Sequence, residues 1–347
     1  MPEKKDIRNI SREELVKFFR QHDLPNFRAK QVIEWLWKKR AVSFNEMTSL
    51  SLETRDLLDK HFYINPVSIH KAERSNDGTI KYSFKLSDNN LIEGVLIPSK
   101  KRLTACVSSQ VGCSLSCTFC ATGTLKLSRN LKYSEIYDQV FILNDEAKQN
   151  FGKSLSNIVF MGMGEPLLNY DNLLKSIDLI STDTGLAMSP KRITVSTAGI
   201  AKMIRKLADD KIKFNLAISL HTANEEKRNT IMPINKSIDL TELQDSIKYF
   251  YDKTGTRITY EYILFNELND GIDDAKELIK FCKISPCKVN LIEYNPIENI
   301  PFTKSTNKKT AEFINFLNEK NIIVNLRKSK GKDINAACGQ LVNKLKQ

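Results

Sequence analysis

The chain has 347 residues, 41% apolar and 27% charged, a balance that suits a globular protein of more than one domain and excludes a low-complexity or fibrous chain. Its opening, MPEKKDIRNI, lacks the apolar stretch of a signal peptide and no run of eighteen apolar residues occurs, so a cytoplasmic protein with no membrane partner is expected. Lysine and arginine outnumber aspartate and glutamate 53 to 41, a net charge of +12 that favours a polyanionic partner, nucleic acid first.

Residues 1–65 read as a small helical module. Ser11-Arg-Glu-Glu has the form of a capping box and REELVKFFRQH follows with apolar residues at helical spacing. AKQVIEWLWKKR and LETRDLLDKHF repeat the pattern. Across residues 66–102, TIKYSFKL and LIEGVLIPS flank a polar SDNN turn, which predicts a β-hairpin closed by the basic SKKR. From residue 103 to 347 the pattern alternates. LTACVSS, NIVFMG, RITVST, KFNLAISL, RITYEYIL and KVNLIEY read as strands, mostly separated by helical runs such as SEIYDQVFILNDEA and DAKELIKFC. Six β-α units around a parallel sheet follow, either an open partial barrel or a doubly wound sheet. A seventh strand-like run, NIIVNLR, comes after TAEFINFLNEK.

Polar signals cluster where these strands end: the cysteines, then MGMGEPLLN, STAG, SLHTAN and EYNPIEN. In parallel α/β folds that edge receives ligands. Seven cysteines in a reducing compartment point to metal or redox chemistry before disulfides. Cys113, Cys117 and Cys120 form C-x3-C-x2-C on a loop of small residues, which suits a soft metal or an iron–sulfur cluster. Structural zinc would need a fourth ligand, and no histidine pair supplies one at matching spacing. Three cysteines on a cluster leave one iron open to a small ligand. Cys282 and Cys287 match no motif and read as core or helix-end residues.

The motif, with Phe119 before its last cysteine, resembles that of the radical S-adenosylmethionine (SAM) enzymes. Gly164-Glu165-Pro166 resembles that family's second motif, which receives the methionine amino group. The series CVSSQVGCSLSCTFCATG, GMGEPLLN, STAG, SLH and DINAACGQL resembles, over residues 10–343, the dual-specificity adenine-C2 methyltransferases of 23S rRNA and tRNA.

That resemblance implies a partial (βα)6 radical SAM barrel with an amino-terminal helical domain and a hairpin extension. It implies a [4Fe-4S] cluster on Cys113, Cys117 and Cys120, and SAM contacts at Gly164, Glu165, Ser196, Ser219, Leu220, His221 and Asn295. Adenine C2 has no lone pair with which to attack a sulfonium methyl, so the family uses a radical route. Cys338 is first methylated by one SAM; a radical from a second SAM then activates the S-methyl group for addition to C2. Cys106 resolves the resulting RNA adduct through a transient Cys106–Cys338 disulfide, and Glu93 matches the proton acceptor. An electron donor and a disulfide reductant are implied partners. The stretch NPIEN lacks a second proline common among relatives, and Lys330-Gly331 stands where they often have Arg-Gly. A sister adenine-C8 enzyme is the near alternative, disfavoured by Pro166; a non-catalytic RNA-binding metal protein is the distant one. The runs RKSKGK (327–332) and SKKR (99–102) are expected to meet RNA phosphates.

Overall fold

The computed structural model describes residues 4–342. Ten strands make one continuous sheet. Three are antiparallel: β1 (Ser68–Arg74), β2 (Ile80–Lys85) and β3 (Leu91–Pro98). β3 pairs antiparallel with β4 (Leu103–Cys106). From there all neighbours are parallel: β5 (Asn157–Phe160), β6 (Ile193–Thr197), β7 (Asn215–Ser219), β8 (Ile258–Leu264), β9 (Cys287–Glu293) and β10 (Val324–Arg327).

Spatial order follows chain order without reversal, β10 at one edge and β1 at the other. A doubly wound sheet needs a reversal at a switch point; its absence here leaves the open partial barrel. β8, ITYEYIL, is buried at every position, as expected of a parallel strand covered on both faces.

Among the described residues ten α-helices accompany the strands. α1 (Arg12–Gln21), α2 (Phe27–Ile33) and α3 (Leu52–His61) form the amino-terminal module. The capping box at Ser11 is present, Ser11 accepting from the Glu14 N–H and Glu14 from the Ser11 N–H. The helix expected over AKQVIEWLWKKR passes at Ile33 into a π-helical turn, Glu34–Lys38. In the core, α4 (Tyr133–Phe151), α5 (Tyr170–Ser181), α6 (Ala201–Asp209) and α7 (Glu225–Ile231) are followed by α8 (Leu240–Thr254), α9 (Ile272–Cys282) and α10 (Asn307–Glu319).

The hairpin predicted between residues 66 and 102 is β2 and β3, built directly into the main sheet. β1 had no sequence signal: SIHKAER is exposed at six of its seven positions and shows no apolar alternation. Its charges guard an open sheet edge.

The amino-terminal module is fixed to α4 through Asp138, which is buried. Its carboxylate accepts from Arg8 Nη1 at 2.8 Å, Arg40 Nε at 3.3 Å and the Val67 N–H at 2.8 Å. Beside it, Tyr137 donates its hydroxyl to the Trp37 carbonyl at 2.6 Å. Truncating one partner of such a buried pair leaves the other charge uncompensated. Asp138→Ala is therefore expected to cost about 3 kcal/mol, read as a fall in the midpoint of thermal unfolding. An unchanged midpoint would show that apolar contacts alone dock the module.

Candidate active site

The cysteine loop is pinched at its base. Just beyond β4, Gln110–Val111 pairs antiparallel with Arg129–Asn130. Gln110 is fully buried; its side chain donates to Asn130 Oδ1 at 2.7 Å and accepts from the Glu165 N–H at 2.8 Å. Asn169 Nδ2 donates to the carbonyls of Ser109 and Leu131, at 2.9 and 2.8 Å. Small residues are required where the loop folds on itself. A Cβ on Gly112, whose φ is +79°, would lie 2.2 Å from the Lys126 carbonyl oxygen.

Cys113, Cys117 and Cys120 all face one cavity of about 880 Å³. Burial pushes the Cys113 thiol up to about 11 and raises Cys117 and Cys120 as well, with the neighbouring thiols adding to the rise at Cys113 and Cys117. The buried Arg228 guanidinium opposes that rise at Cys117. It is held by the Ala198 carbonyl at 2.7 Å, the Leu220 carbonyl at 3.3 Å and Asn235 Oδ1 at 2.5 Å. Thiolates in this setting need a cationic centre. Three soft sulfurs facing one cavity suit an iron–sulfur cluster.

Opposite the cysteines stands Glu165. Its two oxygens accept the N–H groups of Leu167 at 3.0 Å and Ala198 at 2.8 Å, while burial pushes its carboxyl up to about 7. Gly164 makes the approach possible, since its φ is +93° and a Cβ there would lie 2.4 Å from Gln110 Cβ. Ser196 and Ser219 line the same cavity with hydroxyls 3.2 Å apart. His221 also lines it, in the left-handed region at φ +58°. Its Nδ1 accepts the Ile263 N–H at 3.2 Å, which assigns the ring proton to Nε2, and burial pushes it down to about 3. It is a neutral donor. Phe119 packs edge-on to it, ring centres 4.7 Å apart.

Two expected contacts stand back from that wall. Leu220 has its side chain in the core. Asn295 is buried, and its Nδ2 donates to the Cys338 carbonyl at 3.3 Å, while its Oδ1 has no partner.

A second cavity, of about 660 Å³, brings together Cys106, Cys338 and Arg327. Cys338 lines both cavities. Burial pushes the Cys106 thiol up to about 12; Cys338 is exposed to both cavities, yet the protein packed around it also raises its thiol, and the Arg327 guanidinium opposes the rise at both. Arg327 Nη1 bonds Glu261 Oε2 at 3.4 Å, and Glu261 Oε1 accepts from Asn290 at 2.8 Å. Glu93 is buried behind this cavity. Its Oε2 accepts the Val342 N–H at 2.9 Å and its Oε1 lies 3.6 Å from Lys81 Nζ; burial raises its carboxyl.

Arg327, in the basic run expected to meet RNA phosphates, pairs with the buried Glu261 carboxylate while 37% of its side chain stays exposed. Lys330 and Lys332 of the same run also have carboxylate partners, Asp77 at 3.8 Å and Glu293 at 2.9 Å. The sequence reading missed Gln110, Arg228 and Glu261. Glu261 did leave a signal, as a lone carboxylate inside the apolar strand RITYEYIL. Arg228 left none, hidden among the charges of NEEKRNT.

Residues 107–282 match the family model for the radical SAM superfamily, and residues 5–64 match the one for the ribosomal RNA large subunit methyltransferase N-terminal domain. The chain is 56% identical to the probable dual-specificity RNA methyltransferase RlmN of Cytophaga hutchinsonii, covering 98% of this chain and 93% of that protein. It is 54% identical to the protein of the same description from Flavobacterium psychrophilum, covering 99% of each. A crystal structure of a radical SAM methyltransferase from Sphaerobacter thermophilus superposes with a TM-score of 0.91 at 35% identity, over 97% of this chain and 99% of that one. With sequence likeness of this extent over a shared fold, the chain belongs to the RlmN family of dual-specificity RNA methyltransferases, within the radical SAM superfamily.

Proposed function

We propose that the chain methylates C2 of adenine in 23S rRNA and in tRNA, with Cys338 as methyl carrier and two SAM consumed per methylation. The observation that carries this reading is the position of Cys338 on the wall shared by two cavities, one holding the cysteine triad and the other holding Cys106. Cys113, Cys117 and Cys120 would hold a [4Fe-4S] cluster, which with SAM bound in the same cavity would supply hydrogen-abstracting radical chemistry.

The chain's own residues supply the rest. Glu165 suits a cationic ammonium, while Ser196, Ser219 and the Nε2–H of His221 offer neutral donors in the same cavity. Gly164 keeps that wall open, and Leu220 and Asn295 contribute through the backbone they support. The Cys338 thiolate accepts a methyl group by forming an S–C bond as the sulfonium C–S bond breaks. Once RNA is joined through that carbon, the Cys106 thiolate attacks the Cys338 sulfur. An S–S bond forms and the carbon–sulfur bond to RNA breaks, its electron pair staying on the carbon, which takes up a proton from water to become the methyl group. Glu93 is the acceptor of the proton that C2 loses when the adduct radical gives up its odd electron to a one-electron carrier. An external reductant then restores both thiols. A one-electron donor for the cluster completes the set of partners, and the reaction belongs in the cytoplasm. No helix among the described residues is long and apolar enough to cross a membrane.

The module of residues 1–65 is assigned to RNA binding, residues 66–102 to the joining extension, and residues 103–347 to the radical SAM core. Exposed SKKR and Lys328 are the cations left for RNA phosphates.

Mass spectrometry of nucleosides from RNA treated with the reconstituted enzyme, SAM and reductant tests the reaction. The wild type is expected to yield 2-methyladenosine and Cys338→Ala none; 8-methyladenosine would move the chemistry to the other ring position. Cys106→Ala is expected to accumulate protein covalently joined to RNA, visible on a denaturing gel, because nothing then breaks the carbon–sulfur link. Free methylated RNA in normal yield from that variant would remove Cys106 from the mechanism. Arg327→Met removes a cation that favours thiolate at Cys338. The pH profile of Cys338 alkylation should move to higher pH by about one unit, and an unmoved profile would show that Arg327 serves only Glu261.

A further inference from the structure

The sheet is open: β1 and β10 lie at its two ends and do not pair. Yet the segment after β10, which carries Cys338, reaches the tight turn between β1 and β2. The gap in the barrel is bridged by hydrogen bonds from that turn.

Residues 75–79 form a turn set by its own polar groups. The Ser75 N–H donates to the Thr79 carbonyl at 2.8 Å, the Gly78 N–H to the Ser75 carbonyl at 3.0 Å, and the Thr79 N–H to Asp77 Oδ1 at 3.0 Å. Set in this way, the turn presents three groups to the segment. Ser75 Oγ donates to Asp333 Oδ1 at 2.6 Å and the Asn76 N–H to Asp333 Oδ2 at 3.0 Å, while Asp77 Oδ2 accepts the Gly331 N–H at 3.0 Å. Lys330 Nζ lies 3.8 Å from Asp77, offsetting the second carboxylate. Gly331 is at φ +65°, and a Cβ there would lie 2.7 Å from Ala336 Cβ and 3.0 Å from Thr79 Cγ2. The segment is folded tightly against the turn.

On the far side of Cys338 the anchors come from the cysteine loop: Gly339 accepts the Ala121 N–H at 2.7 Å and Leu341 the Thr122 hydroxyl at 2.6 Å. The loop that would hold the cluster thus fixes one side of Cys338, and an element remote from it fixes the other.

We propose that the turn of residues 75–79 is a clamp that closes the open barrel and positions Cys338 between the two cavities. Ser75 and Asp77 are positioning residues acting through Asp333 and Gly331. The extension thereby has a part in the methyl-carrying step, apart from any contact with RNA. This rests on the carrier role of Cys338, but only for its catalytic consequence.

The test uses the full chain with Ser75→Ala/Asp77→Ala, and Asp77→Asn, which leaves one oxygen where the carboxylate serves two N–H donors. In the cluster-free protein, amide hydrogen exchange across residues 329–342 should quicken roughly threefold to tenfold in the double variant, the net worth of a hydrogen bond or so. Asp77→Asn should fall between the wild type and the double variant, and the midpoint of global unfolding should hardly move. In the reconstituted enzyme the double variant should cleave more SAM per methyl group transferred, since radical formation does not need Cys338 in place. Unchanged exchange overturns the clamp whatever Cys338 does. Faster exchange with an unchanged ratio of cleavage to transfer overturns its role in positioning. If Cys338→Ala transfers methyl groups normally, the carrier reading fails and the exchange result stands by itself.

Discussion

Gln110 is the point on which the site depends. One buried amide bonds the base of the cysteine loop through Asn130 and the Gly-Glu edge through the Glu165 N–H, while its Cβ fills the space that only a glycine at 164 leaves free. The triad and Glu165 come from different strands, β4 and β5, and pairing between those strands stops before either group is reached. Beyond the sheet, backbone bonds from Ser109 and Gln110 to the Met163 carbonyl join the side-chain bonds of Gln110 in keeping the two walls of the cavity in register. A group held on all sides in a dry environment has little freedom to move, which is what a site of fixed geometry requires.

The same economy governs charge. Burial raises the carboxyls of Glu93, Glu165 and Glu261 and all five thiols at the site, so each anion needs a partner to persist. Arg228 serves the side of Cys117, and Arg327 serves Glu261 and the two thiols of the second cavity. Glu165 relies on two backbone N–H groups and the Thr197 hydroxyl to stabilise its charge, and among the described residues it has no side-chain cation paired with it.

Much of this was legible in the sequence, and for physical reasons. The parallel strands are apolar runs because they are covered on both faces, and the ligand-binding residues follow them because that edge of the sheet is the one left open. The cysteine spacing is local, so it survives translation into structure unchanged. β1 was not legible because an exposed edge strand has no buried face to impose alternation. The ion pair of Arg327 was not legible because a cation within a basic run carries no mark of the carboxylate it meets, which lies 66 residues earlier in the chain. Leu220 and Asn295, carried over by motif, stand back from the cavity wall, one with its side chain in the core and the other donating to the carbonyl of Cys338.

The openness of the barrel ties these features together. A closed ring of strands would bring β1 and β10 together and leave no route for a chain segment to cross the strand ends. Here the chain leaves β10, passes the turn between β1 and β2, crosses beneath the cysteine loop and at Val342 meets Glu93 on β3. A thiol on that segment faces both cavities because the segment is itself the partition between them. A carrier that must exchange partners between two compartments is better placed on a held loop than on a strand. Hydrogen bonds at the loop's ends can fix its position while the few residues between them, Cys338 included, remain exposed to the space on either side.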